Sequence, residues 1–274
     1  MTISTLSHPM PARDPFGAEP VFAAAGSLIG LSLAVTLAAM SLDARLFQGE
    51  SVWVKPVKFQ VALTIYLLTL AFFARWLPAG MTARPSYRIY AGVVVFTIVG
   101  ELAWIMGAAM YGTASHFNQS TLLMARLYSL MGVFAVILTT PTLVYGVAIW
   151  RNRASGLAPA LHLSIALGLV LTFALTLPVA STMASMPGHF VGTPATGAHV
   201  PLMGWSREAG DLRVAHFFAT HAMHFLPLAG LAAAALLPPR AGRGAVWLVA
   251  AVFVAFVAWC LSGALAGRPL IPLA

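Results

Sequence analysis

Apolar runs about twenty residues long or longer follow one another along the chain, separated by short polar links. "VFAAAGSLIGLSLAVTLAAM" (21–40) is the first and "AVWLVAAVFVAFVAWCLSGALA" (245–266) the last. A helix rises about 1.5 Å per residue, so runs of this length match a hydrocarbon core about 30 Å thick. The pattern predicts helices over 21–41, 54–77, 88–112, 121–149, 158–183, 212–237 and 244–266. The expected fold is an all-α integral membrane protein, a seven-transmembrane-helix bundle spanning 21–266. A polar tail (1–20) precedes it and a short tail (267–274) follows. The first run has span length rather than signal-peptide length, so it is expected to be a retained helix. The connection 184–211 is too long for a tight link and is a candidate functional loop.

Composition agrees with the pattern. Charged residues make up 8% of the chain, hydrophobic residues 60%, and the mean hydropathy is +0.88. A soluble domain carries about 25% charged residues. The net charge of +8 is therefore read as topology rather than as a nucleic-acid surface. Arg75, Arg84, Arg88, Arg151, Arg153, Arg240 and Arg243 fall in alternate links, and the other links carry Asp43, Glu50, Glu208 and Asp211. The positive-inside rule then predicts a cytoplasmic N-terminus, an external C-terminus and an external 184–211 loop. Cys260 is the one cysteine, so there is no internal disulfide and no CxxC motif.

Gly26 with Gly30, and Gly263 with Gly267, have the GxxxG spacing of close helix packing, expected within the bundle. The oligomeric state stays open. Pro141, Pro178 and Pro227 interrupt three helices. Trp53 and Trp205 are expected as interfacial anchors on one side, Trp76 and Trp150 on the other.

Polar chemistry collects toward the predicted external side. Lys55 and Lys58, in "SVWVKPVKFQ", are the only lysines. Cations oppose the positive end of a helix dipole, so two lysines in a first turn call for a compensating partner. With the helix starting at Pro56, Lys58 is expected to turn inward and Lys55 to meet Glu50, Glu208 or Asp211. Lys55, Lys58, Arg126 and Arg213 together can hold a carboxylate, a phosphate or a haem propionate. Snorkelling of the lysines to lipid phosphate is the plainer alternative.

In "GDLRVAHFFATHAMHFLP" (210–227), Arg213, Phe217, His221 and His224 share a sector of roughly 80°, and His216 lies about 60° outside it. Glu101 sits about 16 Å along its helix from Gly112 and can pair with His224 at similar depth. Ionisable residues inside a span usually face the bundle interior. His116, His216, His221 and His224 are the candidate metal ligands, and Glu101 is the candidate catalytic acid or base. Met183, Met186 and His189 add soft donors that are more simply read as packing, and His162 is expected at a helix end without a role.

Three segments also carry a resemblance: "WVKPVKF" (53–59), "ASHFNQST" (114–121) and "GWSREAGDLRVAHFFATHAMHFLP" (204–227). Together they resemble a family of bacterial multi-pass membrane proteins with W-x-K-P-x-K-F, S-H-F-N and G-W-S…G-D-x-R-x-x-H-F motifs, over about residues 45–237. The resemblance implies a bacterial cytoplasmic-membrane protein and attaches no activity to it. A microbial rhodopsin would need a lysine in helix 7, which is lacking. The H-x4-H-x2-H run departs from the HxxxH of ceramidase-type intramembrane zinc hydrolases.

Three functions compete. The first is a histidine-lined site binding haem or a transition metal (Zn, Cu or Fe) for redox chemistry. The second is a metal-dependent intramembrane hydrolase with Glu101 as base. The third is a proton-coupled transporter or sensor of a small anion. Whether the protein is an enzyme is left open.

Overall fold

The computed structural model describes residues 14–273. Its helices are α1 (Pro20–Leu42), α2 (Val54–Phe73), α3 (Pro85–Tyr111), α4 (Leu122–Arg151), α5 (Pro159–Ala184), α6 (Leu212–Leu236) and α7 (Pro239–Leu265). All seven are long and apolar enough to cross a membrane, and their outward side chains are apolar: Leu31 and Val35 are 72% and 71% exposed. This is the build of a multi-pass helical membrane protein. Residues 1–13 of the polar tail lie outside the described residues; Glu19 caps α1, its carboxylate accepting from the Val21 and Phe22 amides.

Helix starts differ from the hydropathy reading for one physical reason. α3 begins at Pro85 and α7 at Pro239, three and five residues earlier than expected. Proline suits the first helical position, whose N–H has no partner in the helix. Arg88, Arg240 and Arg243 therefore occupy first turns rather than links; their charge hides those turns from a hydropathy window. The start of α2 at Val54 agrees with the hydropathy reading, and Pro56, the alternative start, falls inside its first turn.

Small residues set the packing. A Cβ on Gly26 would meet Leu67 at 3.1 Å and one on Gly30 would meet Thr64 at 3.2 Å, so this GxxxG seats α1 on α2. Gly146 lets α4 close on α5, where a Cβ would come 2.7 Å from Val170. Gly168 does the same for α5 against α6, at 2.8 Å from the Ala222 carbonyl. The other GxxxG packs nothing: Gly263 faces open space, and Gly267 lies beyond α7 with φ +73°. Pro141 cannot donate to the Ile137 carbonyl, and the Thr140 hydroxyl does so instead at 2.7 Å. His162, expected to be idle, bonds the Ile149 carbonyl near the end of α4 at 2.6 Å.

The bundle has two ends. One, the loop face, gathers the starts of α2, α4 and α6, the end of α7 and the 184–211 loop. The opposite arginine face gathers the starts of α3, α5 and α7 and the end of α4. Trp53 and Trp205, expected as interfacial anchors, are both only 8% exposed. Trp53 donates to Asp43 at 2.9 Å, and Trp205 packs on Phe217.

Candidate functional site

The 184–211 loop is fixed to α6 at one point. Phe190–Val191 pairs antiparallel with Gly210–Asp211, and Asp211 caps α6. Its fully buried carboxylate accepts from the Ser206 amide at 3.0 Å, the Arg213 amide at 3.0 Å and the Arg213 guanidinium at 2.7 Å. The guanidinium also donates to the Gly204 carbonyl at 2.5 Å and stacks over Phe190. Arg213, expected to hold an anion, is thus spent on the loop. His189 beside it is held down near pKa 4, by burial first and by the Arg213 charge second.

The two lysines reverse their expected roles. Lys55, the second residue of α2, is half-buried, and its Nζ lies 3.1 Å from His116 Nδ1. Lys58 is exposed and reaches the Met203 carbonyl at 3.5 Å. Lys55, not Lys58, therefore falls on the inward side of α2. Lys55 continues as a helical stripe through Phe59 and Tyr66 to Thr69. Arg126 is exposed on α4 and takes part in neither ion pair found among the described residues.

His116 is the centre of the cluster at this end. Its Nδ1 also lies 3.2 Å from the Ser115 hydroxyl, and its ring packs between Phe59 and Tyr128, with centroids 5.9 Å away on each side. Burial, then the Lys55 charge, then His216 depress its pKa to about 3. The ring is therefore neutral, and Nδ1 accepts from the lysine ammonium.

Glu101 is 3% exposed, and its Oε2 is buried without a hydrogen-bond partner. The expected pairing with His224 is not formed. The charge within reach of Glu101 is Lys55, while His224 Nε2 bonds Thr69 of α2 at 3.0 Å. The His221 and His224 rings lie 5.4 Å apart, and His221 bonds back to the Phe217 carbonyl at 2.7 Å. Nδ1 of His216 and Nδ1 of His224 are buried without partners. Buried polar atoms are nearly always satisfied. Glu101, His216 and His224 are among the residues whose buried polar atoms have no protein partner, alongside Gln60, Thr64, Thr176 and Arg207.

A metal fits this arrangement poorly. Among the described residues no three His, Cys, Asp or Glu side chains converge as a metal ion requires. His221 and His224 share one helix face, His116 is turned to Lys55, and Glu101 Oε2 bonds none of the histidines. The donor set expected for a zinc hydrolase or a copper centre is therefore not assembled, and no step is derived through one. Sequence reading missed Thr69 and Tyr128. The 4-, 7- and 3-residue steps from Lys55 to Phe59, Tyr66 and Thr69 were a legible helical stripe; the Tyr128–His116 packing had no signal. No protein-family model, curated protein or solved structure matches the chain.

Proposed function

We propose that the chain is a bacterial cytoplasmic-membrane protein that takes up a small monovalent anion together with a proton, as a proton-coupled transporter or sensor. Its N-terminus is cytoplasmic, and the loop face, with the site, opens outward. Seven arginines at the other face support that orientation. Maleimide labelling of Ser185→Cys in a Cys260→Ala background tests it; labelling that requires broken membranes reverses it.

The observation that carries the reading is the half-buried Lys55, bonded to neutral His116 and to no carboxylate, together with buried Glu101, whose Oε2 has no hydrogen-bond partner. A single ammonium can neutralise the Glu101 carboxylate or an entering anion, but not both. When an anion binds Lys55, an ionised Glu101 is left buried without compensation, a state costly enough that it takes a proton instead. Anion and proton then enter as a neutral pair. His216, His221 and His224, spread over about 12 Å of α6, offer proton-accepting nitrogens below the site.

The test is proton uptake by the detergent-purified protein in weak buffer with an indicator dye, on adding chloride, nitrate or acetate. Uptake near one proton per bound anion, lost in Lys55→Met and Glu101→Gln, is expected. Anion binding without uptake contradicts the proposal, and a Soret band or one metal ion per chain moves the assignment to the redox reading.

A further inference from the structure

At the arginine face a groove unrelated to the lysine–histidine cluster opens where α4 ends against α5. It has a volume of about 240 Å³ and is lined by Val147, Trp150 and Arg151 of α4 and Val170 of α5. Gly146 brings the two helices together beside it. The Trp150 ring stands edge-on to Trp247 of α7, with centroids 6.0 Å apart, and the two rings are 44% and 49% exposed. Arg151 is exposed and has no ion pair among the described residues.

The layout is graded. Val147 and Val170 supply an apolar wall, Trp150 and Trp247 an amphipathic rim, and Arg151 a cation at the edge. Tryptophan favours the headgroup level, and a basic pocket between helices at that level suits an anionic lipid head. The negative end of α4 does not oppose this. The Ile149 carbonyl is taken by His162 and by the Asn152 amide, which also bonds the Ala148 carbonyl. Arg84, Arg88, Arg153, Arg240 and Arg243 lie on the same face and raise its positive potential.

We infer that this groove is a binding site for one anionic phospholipid. The phosphate sits on Arg151, and an acyl chain lies along Val147 and Val170 beneath the two tryptophans. The inference is independent of the anion site.

The experiment is native mass spectrometry of the whole protein from nanodiscs containing equal phosphatidylglycerol and phosphatidylcholine. Wild type is expected to keep one phosphatidylglycerol under delipidating detergent. Arg151→Ala should reduce retention about fivefold, the share of one arginine in holding an anionic head. Trp150→Ala should also reduce it, and Arg84→Ala, away from the groove, should not. Helicity and elution volume are checked for each variant. Equal loss in Arg84→Ala assigns retention to diffuse charge and overturns the site. Equal retention of phosphatidylcholine, or displacement of the lipid by millimolar inorganic phosphate, also overturns it.

Discussion

Lys55 Nζ lies 3.1 Å from His116 Nδ1, so the first turn of α2 and the loop joining α3 to α4 form one hydrogen-bonded unit at the loop face. Lys58, one turn on, stays outside it. In the proposed coupling, this cation would choose between the Glu101 carboxylate and an incoming anion.

The two lysines should therefore respond oppositely to arginine. Lys55→Arg replaces a compact ammonium with a planar fork that cannot keep the same contact. Losing a charge-assisted hydrogen bond costs about 1.5–3 kcal/mol, so anion affinity should fall about ten- to a hundredfold. Lys58→Arg should leave affinity within about twofold, as an exposed cation does. Dye-monitored proton uptake against chloride concentration checks both.

Asp211 should prove to be the anchor of the 184–211 loop. Asp211→Ala leaves Arg213 without its partner and strips the Ser206 amide of its acceptor. Losing these charge-assisted hydrogen bonds, with Arg213 partly exposed, costs about 1.5–3 kcal/mol. The variant should unfold at lower temperature in detergent and be cut faster between 184 and 211 by added protease. Unchanged proteolysis would show that the pairing of Phe190–Val191 with Gly210–Asp211 alone holds the loop.

Glycine substitutions should separate packing positions from open ones. Gly146→Val drives a side chain into Val170 and should destabilise by about 1–3 kcal/mol, whereas Gly263→Ala meets nothing and should be neutral. Thermal unfolding of the two variants side by side reads the difference.

Acid should weaken the loop face. His116 is held near pKa 3 and His189 near 4, below the unfolded value of about 6.5. Between those values the unfolded chain binds more protons, so stability falls as pH drops from about 6.5 toward 3–4 and is flat above. Melting temperature in detergent should follow that course, and His116→Gln should flatten part of it. A melting temperature that rises on acidification would contradict the burial of both rings.

Much of the bundle was legible because apolar run length and helix rise are both physical constants of the problem. The arginines and prolines at the starts of α3 and α7 hid those boundaries, since a hydropathy window penalises charge in a first turn. The polar face of α6 was legible through its 100° steps. The partners were not: which face of α2 turns inward depends on how the helix packs against its neighbours, which run length and composition do not carry. Lys55 and Lys58 lie only about 60° apart around α2, so a small rotation decides which of them turns inward. Likewise, the sequence alone does not tell that Arg213 is spent on Asp211, because a helix-capping aspartate two residues before an arginine leaves the arginine free to turn to the bundle interior or to an anion instead.

The central claim is that Glu101 gains a proton when an anion reaches Lys55. Difference infrared spectroscopy of the purified protein at constant pH, with and without chloride, measures this on Glu101 itself. The account predicts a protonated-carboxyl stretch that grows with chloride and vanishes in Glu101→Gln and in Lys55→Met. A carboxyl band that does not change as chloride saturates the protein, or that persists in Glu101→Gln, would contradict it.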